Sequence, residues 1–198
     1  ITGSYQLSLP RLTCNIRGNR FIQCNDKVLI SPVVGSDTIF YWSPDKKVSP
    51  LYYIDFGNYR LNPEEIPADY ETPSPAFSYA KENKKCIYIS YPLDNEEWLI
   101  FYFSYTGDPY RIHYRKSDGK SILLKLEVNN LNHILFKGNA LAVYKNQFVY
   151  GVNALQIVKM FESNTLDFKF LSEARHQEII AQLKNVKETD NPVLMFVK

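Results

Sequence analysis

Short runs of aromatic and branched residues, each stopped within a few positions by turn-forming residues, set narrow limits on the fold of this chain. Leu51-Tyr52-Tyr53-Ile54-Asp55-Phe56 is the clearest, opened by Pro50 and closed by Gly57. Branched and aromatic side chains suit a pleated, half-buried surface, and proline and glycine punctuate it, so the run predicts a short strand. Asp55 alternates with Ile54 and Phe56 and so faces away from them; an acid inside a strand needs a hydrogen-bond partner.

The runs come in sets. Phe21-Ile22-Gln23-Cys24, Lys27-Val28-Leu29-Ile30-Ser31, Thr38-Ile39-Phe40-Tyr41-Trp42 and Leu51–Phe56 are separated by Asn25-Asp26, Gly35-Ser36-Asp37 and Pro44-Asp45-Lys46-Lys47, a predicted four-strand meander. Residues 58–85 carry Pro63, Pro67, Pro73 and Pro75 and read as a long crossing loop. The meander then recurs over Cys86–Tyr91, Trp98–Phe103, Tyr110–Tyr114 and Ile122–Leu126. Trp98–Phe103 is apolar throughout, as in a strand buried on both faces inside its sheet. A third set begins at Ile134-Leu135-Phe136 and continues with Ala140–Tyr144 and Gln147–Val152. Leu155, Val158 and Phe161 then lie three apart, which predicts a short helix over Ala154–Glu162. A longer helix over Ser172–Val186 has Ser172 as N-cap and Ile179, Leu183 and Val186 as its apolar stripe. Val193–Val197 closes the chain as a strand, and Ser4–Leu9 is a further strand before Pro10.

Leu51, Ile122 and Val193 open the last strand of each set at equal intervals of 71 residues. Propeller blades take roughly 40–50 residues, so each unit carries an insertion. The predicted fold is all-β and β-propeller-like, about three four-stranded antiparallel blades with a small helical insertion before the last strand. A β-sandwich is the runner-up. The whole of 1–198 is one propeller portion, with blades 21–57, 86–127 and 133–198, crossing loop 58–85 and helical elaboration 154–187.

Composition excludes some classes. With 45% hydrophobic and 22% charged residues the chain is globular in type. The net charge is +2, and Lys46-Lys47 and Lys84-Lys85 are isolated pairs that read as solvated turns, so no nucleic-acid partner is predicted. No apolar run approaches the ~18 residues a spanning helix needs. Cys14, Cys24 and Cys86 allow one disulfide at most, none has C-x-x-C spacing, and Cys86 reads as a buried structural thiol. The chain starts at Ile1 without a signal peptide, so an N-terminal portion of the parent is expected to be missing.

The residues assign no catalytic, cofactor-binding or metal-binding site and call for no cofactor. His113, His133 and His176 lack a His or Cys partner at metal-ligand spacing and read as structural or surface residues. No G-x-S-x-G nucleophile turn and no glycine-rich phosphate loop occurs. Asp55, Asp94, Glu96, Glu97, Asp108 and Asp118 lie at strand ends or hairpin tips. Turn preference explains them, and glycosidase chemistry would need two of them facing across about 5–9.5 Å. Tyr41, Trp42, Tyr91, Trp98, Tyr105 and Tyr110 flank turns, where rings either stack on a ligand or pack between blades, the latter being favoured.

Tyr52-Tyr53-Ile54-Asp55-Phe56-Gly57 with Pro63-Glu64-Glu65, and the closing Asp190-Asn191-Pro192-Val193-Leu194-Met195-Phe196, resemble a group of six-bladed β-propeller proteins. These occur mainly in Bacteroides and relatives and are described as lipoproteins of unknown function. The resemblance covers the whole chain and rests on structural motifs. It implies the C-terminal half of a ring, in a cell-envelope location, periplasmic or as an outer-membrane lipoprotein. The lipid-attachment cysteine of that group lies at an N-terminus absent here, so none of the three cysteines inherits that role. Missing N-terminal blades, or a second copy, are expected to cover the open faces. The function implied is a non-enzymatic binding or assembly module, more an interaction protein than an enzyme, with an unknown protein or glycan as ligand. The alternative is a propeller-type carbohydrate- or peptide-processing enzyme with loop-borne carboxylates.

Overall fold

A computed structural model of the chain describes residues 21–32, 35–43, 45, 47–67, 75–125, 139–163 and 173–197. The expected strands at Ser4–Leu9 and Ile134–Phe136, together with Cys14, His133 and Ser172, lie outside these residues.

The first meander is β1 (Phe21–Cys24), β2 (Lys27–Ile30), β3 (Thr38–Trp42) and β4 (Val48–Tyr53). The second is β5 (Cys86–Asp94), β6 (Trp98–Tyr105), β7 (Asp108–Arg115) and β8 (Ser121–Lys125). The third consists of β9 (Asn139–Tyr144), β10 (Gln147–Val152) and β11 (Val193–Val197). Every neighbouring pair within a meander is antiparallel.

The second meander is a sheet of its own, in the order β5-β6-β7-β8. The other two are joined edge to edge. A short parallel seam, Gln23 beside Ala142 and Cys24 beside Val143, makes one seven-stranded sheet in the order β11-β10-β9-β1-β2-β3-β4. The separation of the first and third sets expected from the strand spacing is therefore incomplete at their inner strands.

The four-stranded sheet is packed on both faces. Leu99, Phe101 and Phe103 of β6 meet Ile39, Tyr52, Ile54 and Phe56 of the first meander and its exit. Ile100 and Leu93 face the other way, onto Ile22, Cys24, Leu29, Val143, Phe148 and Tyr150. The unbroken apolar run of β6 is thus explained by its two covered faces, each burial of a large side chain contributing about 1.5–3 kcal/mol.

The far face of the seven-stranded sheet is different. Its register aligns Phe21, Ile30, Phe40 and Pro50 in one row and Val28, Trp42 and Val48 in the next. Across the seam, Phe196 and Leu194 stand beside Val149 and Gly151 on the corresponding face. Phe21 is 64% exposed, and Trp42, Val48, Leu194 and Phe196 are also exposed.

Two local expectations need correction. The strand predicted at Leu51–Phe56 runs instead over Val48–Tyr53, with Pro50 inside it. Proline is tolerated because β4 is the sheet's edge and its ladder shifts beside Phe40, opposite Pro50. The crossing loop 58–85 also contains α1 (Pro75–Glu82) and two short 3-10 turns, Gly57–Tyr59 and Pro63–Glu65. Pro75 opens α1 at a position where the missing N–H costs nothing, and Ala76 and Ala80, four apart, bury against Leu61 and Ile87. The helices α2 (Ala154–Glu162) and α3 (Glu173–Leu183) precede β11. Asn153 caps α2 through Leu155 N at 2.9 Å. Ile157, Met160 and Leu183 pack with Val152, Ile179 and Val193.

Candidate functional site

Two polar regions stand out against these packed faces. The first is an open depression of about 420 Å³ where the chain leaves β4 and crosses to β5, lined by Gly57, Asn58, Arg60, Asn62, Glu65 and Lys85. Its floor is fixed by backbone. Arg60 bridges Cys86 at the start of β5, and Leu61 is buried with Ile87 beneath. Gly57 takes the left-handed φ of +53° that begins the turn, and Asp55 Oδ1 accepts from Gly57 N at 2.7 Å. Asn62 caps the second turn by accepting from Glu64 N at 3.4 Å. Both cations in the lining are paired: Arg60 Nε lies 2.8 Å from Asp37 Oδ2, and Lys85 Nζ lies 3.0 Å from Glu65 Oε2. Arg60 Nη1 also donates to the Tyr53 hydroxyl at 3.4 Å.

The second region is the end of the molecule where the first hairpin of each meander turns. Asn146, in the β9–β10 turn, donates from its backbone N to Asn25 Oδ1 in the β1–β2 turn at 3.2 Å. It also accepts from Glu96 N at 2.8 Å through Oδ1. Asn95 Nδ2, in the β5–β6 turn, donates to Asn146 O at 3.2 Å, while Asn95 Oδ1 accepts from Glu97 N and Trp98 N. Asparagine suits these places because its amide closes turns and tolerates positive φ, here +52° at Asn25 and +62° at Asn146. Under this clasp the buried Asp94 carboxylate receives Lys116 Nζ at 2.6 Å and the Tyr52 hydroxyl at 2.9 Å. Lys116 Nζ donates to Asn95 O as well. Asp94 N donates to Cys24 Sγ at 3.4 Å.

Electrostatics make this second region a poor reaction centre. Burial pushes the Cys24 thiol up to about 12, outweighing the Asp94 backbone N–H, which lowers it. Burial and the bond to Asp94 raise the Tyr52 phenol as well. Thiol and phenol stay protonated at neutral pH, and Asp94 is committed to Lys116, so no free nucleophile or base results.

Residues 10–198 match the model of the family described as Domain of unknown function (DUF4934). The chain belongs to this family. No curated protein matches. Among solved structures, this DUF4934 chain resembles the crystal structure of a "Putative exported protein" from Bacteroides fragilis, with a TM-score of 0.58 and 13% sequence identity. The match covers 90% of this chain and 49% of that one, so the chain spans about half the length of its structural neighbour. At this identity the likeness is one of fold.

The carboxylates named from the sequence are mostly engaged within the DUF4934 fold. Asp55 lies beyond the strand rather than inside it, exposed, with Gly57 N as partner. Asp94 holds Lys116, and Glu96 Oε2 accepts from Asn146 Nδ2 at 3.1 Å. Asp108 pairs with Lys125 at 2.7 Å and Asp118 with Arg115 at 2.5 Å; the Arg115 guanidinium lowers the Asp118 carboxyl below its ordinary range. Glu97 is exposed. The rings are mainly packing elements: Tyr91 meets Tyr102 edge-on at 5.9 Å, Tyr105 and Tyr110 lie 6.2 Å apart, and Trp98 lies 6.4 Å from His113. Tyr41 packs against the central core, and Trp42 stays exposed. His113 is held down to about 4 by burial, then by the positive charge of Arg111. His176 lies on α3. Cys24 and Cys86 are buried free thiols. No helix among the described residues is long and apolar enough to cross a membrane.

Sequence reasoning passed over Asn95, Asn146, Lys116 and Arg60. The common signal was available in part: each first hairpin carries an asparagine in its turn, at Asn25, Asn95 and Asn146. That these turns converge depends on how the meanders stack, which local pattern does not encode.

Proposed function

We propose that the chain is a portion of a β-propeller, about three blades, serving as a non-enzymatic binding or assembly module of the bacterial cell envelope. The observation that carries this reading is the contrast between covered and uncovered faces. The middle sheet is packed on both sides by the flanking meanders, whereas the far face of the seven-stranded sheet offers Phe21, Trp42, Val48, Leu194 and Phe196 to solvent. Stacked meanders with open ends are completed by more of the same, and an apolar patch of this kind marks a contact surface. The structural neighbour, about twice as long, leaves room for such further meanders. The neighbour's description as an exported protein, together with the resemblance to six-bladed envelope lipoproteins, supports the location. Binding is favoured over hydrolysis because Asp94, Asp108 and Asp118 are paired with cations and the thiols are buried.

Size-exclusion chromatography with light scattering tests the open-face reading. The 23.1-kDa chain is expected to self-associate, and Trp42→Lys combined with Phe196→Lys to restore a monomer. A monomer that binds no hydrophobic dye would overturn the proposal.

A further inference from the structure

The depression between β4 and β5 combines three features that together specify a ligand chemistry. It is lined by amide, guanidinium, ammonium and carboxylate groups rather than by apolar ones. Its charges cancel locally, Arg60 against Asp37 and Lys85 against Glu65. Two exposed tyrosines are next to lining residues: Tyr53, 60% exposed, whose hydroxyl accepts from Arg60, and Tyr59, 55% exposed, between Asn58 and Arg60 in the chain. Tyr52, Tyr105 and Tyr110 pack against the core between the sheets, whereas Tyr59 meets Tyr105 edge-on at 5.5 Å.

We propose that this depression binds a neutral sugar, the pyranose face lying on Tyr53 or Tyr59 and the hydroxyls bonding to Asn58, Asn62 and the paired Arg60 and Glu65. The inference rests on the binding-module reading and gives it a ligand class. An anionic ligand would have to compete with Asp37 and Glu65 for the two cations. An apolar one would strand the lining groups without water or partners. A polyhydroxylated neutral molecule does neither, since each hydroxyl both donates and accepts, and its C–H face covers an aromatic ring at little entropic cost. The site is also preorganised. The Asp55–Gly57 turn, the Asn62 cap, the Arg60–Cys86 bridge and the buried Leu61 fix its backbone before any ligand arrives.

Saturation-transfer NMR of the 198-residue chain with glucose, galactose and N-acetylglucosamine, and with glucuronate as the charged comparison, tests this. At least one neutral sugar is expected to receive saturation with millimolar affinity. Tyr59→Ala and Asn58→Ala should each weaken binding by ~tenfold, as loss of one ring or one amide contact predicts. Thermal melting checks that both variants stay folded. Transfer to none of the three neutral sugars, transfer unchanged in both folded variants, or tighter binding of glucuronate would overturn the proposal. Self-association through the far sheet face is read separately by light scattering, so loss of sugar binding and failure of the open-face reading give different results.

Discussion

Asp94 shows how a single side chain organises its surroundings here. It ends β5, is buried, and receives an ammonium and a phenol from two other segments. Removing one partner of such a pair leaves a charge with nothing to oppose it, which costs about 3–5 kcal/mol when both groups are fully buried. Lys116 keeps 28% of its side chain in water, so Lys116→Met should cost nearer ~2 kcal/mol in urea unfolding. The double variant with Asp94→Asn should cost less than the sum of the singles; strict additivity would mean that the two groups do not interact. His113 supplies a pH dependence. Its imidazole is neutral in the fold down to about 4, against an ordinary 6.5, so the unfolded chain takes up the proton first as pH falls. The stability contributed by the neutral ring is complete above pH 6.5 and is lost progressively between 6.5 and about 4. The loss should reach about 2–3 kcal/mol near pH 4, and His113→Gln should flatten the urea midpoint over that window. Cys24 and Cys86 are raised to about 12 and about 11, chiefly by burial. Neither should react with iodoacetamide at pH 8 in the native protein, and both should label on unfolding, as peptide mass spectrometry would show.

Elements were legible where side-chain period and burial agree. β6 declared itself by an unbroken apolar run, and that run reflects two covered faces. Helix α2 was legible from its three-residue spacing, but its buried stripe is Ala154, Ile157 and Met160, one position before Leu155, Val158 and Phe161, and Leu155 is exposed. α1 was hidden because proline was read as a breaker, although at a helix start it is favoured. β4 was displaced because Pro50 looked like a boundary, although an edge strand tolerates it. The turns were readable as turns, but their function as a clasp was not, since Asn95 and Asn146 meet only once the second and third meanders are stacked. Asn95 accepts two backbone N–H groups in its own turn and donates to the next. Asn95→Ala should therefore cost about 1–3 kcal/mol by thermal denaturation, well above the change expected at a simple exposed turn.

At the level of the molecule, the two sheets explain one another. The seven-stranded sheet supplies a cover to each side of the four-stranded one, and the polar clasp ties the three first hairpins at one end. The depression lies in the crossing from β4 to β5, so its walls belong to segments already fixed by packing. Most strands of the first two meanders could be read along the chain. The merging of the first and third meanders could not, because a parallel contact of two residue pairs leaves no trace in local alternation.

That seam has a consequence in time. Gln23 finds its neighbour in Ala142, far along the chain. A ribosome adding about 5–20 residues each second needs roughly 6–24 s to make the intervening stretch. For that interval β1 has one edge without its mate, and any cell producing this chain must keep that edge from pairing elsewhere.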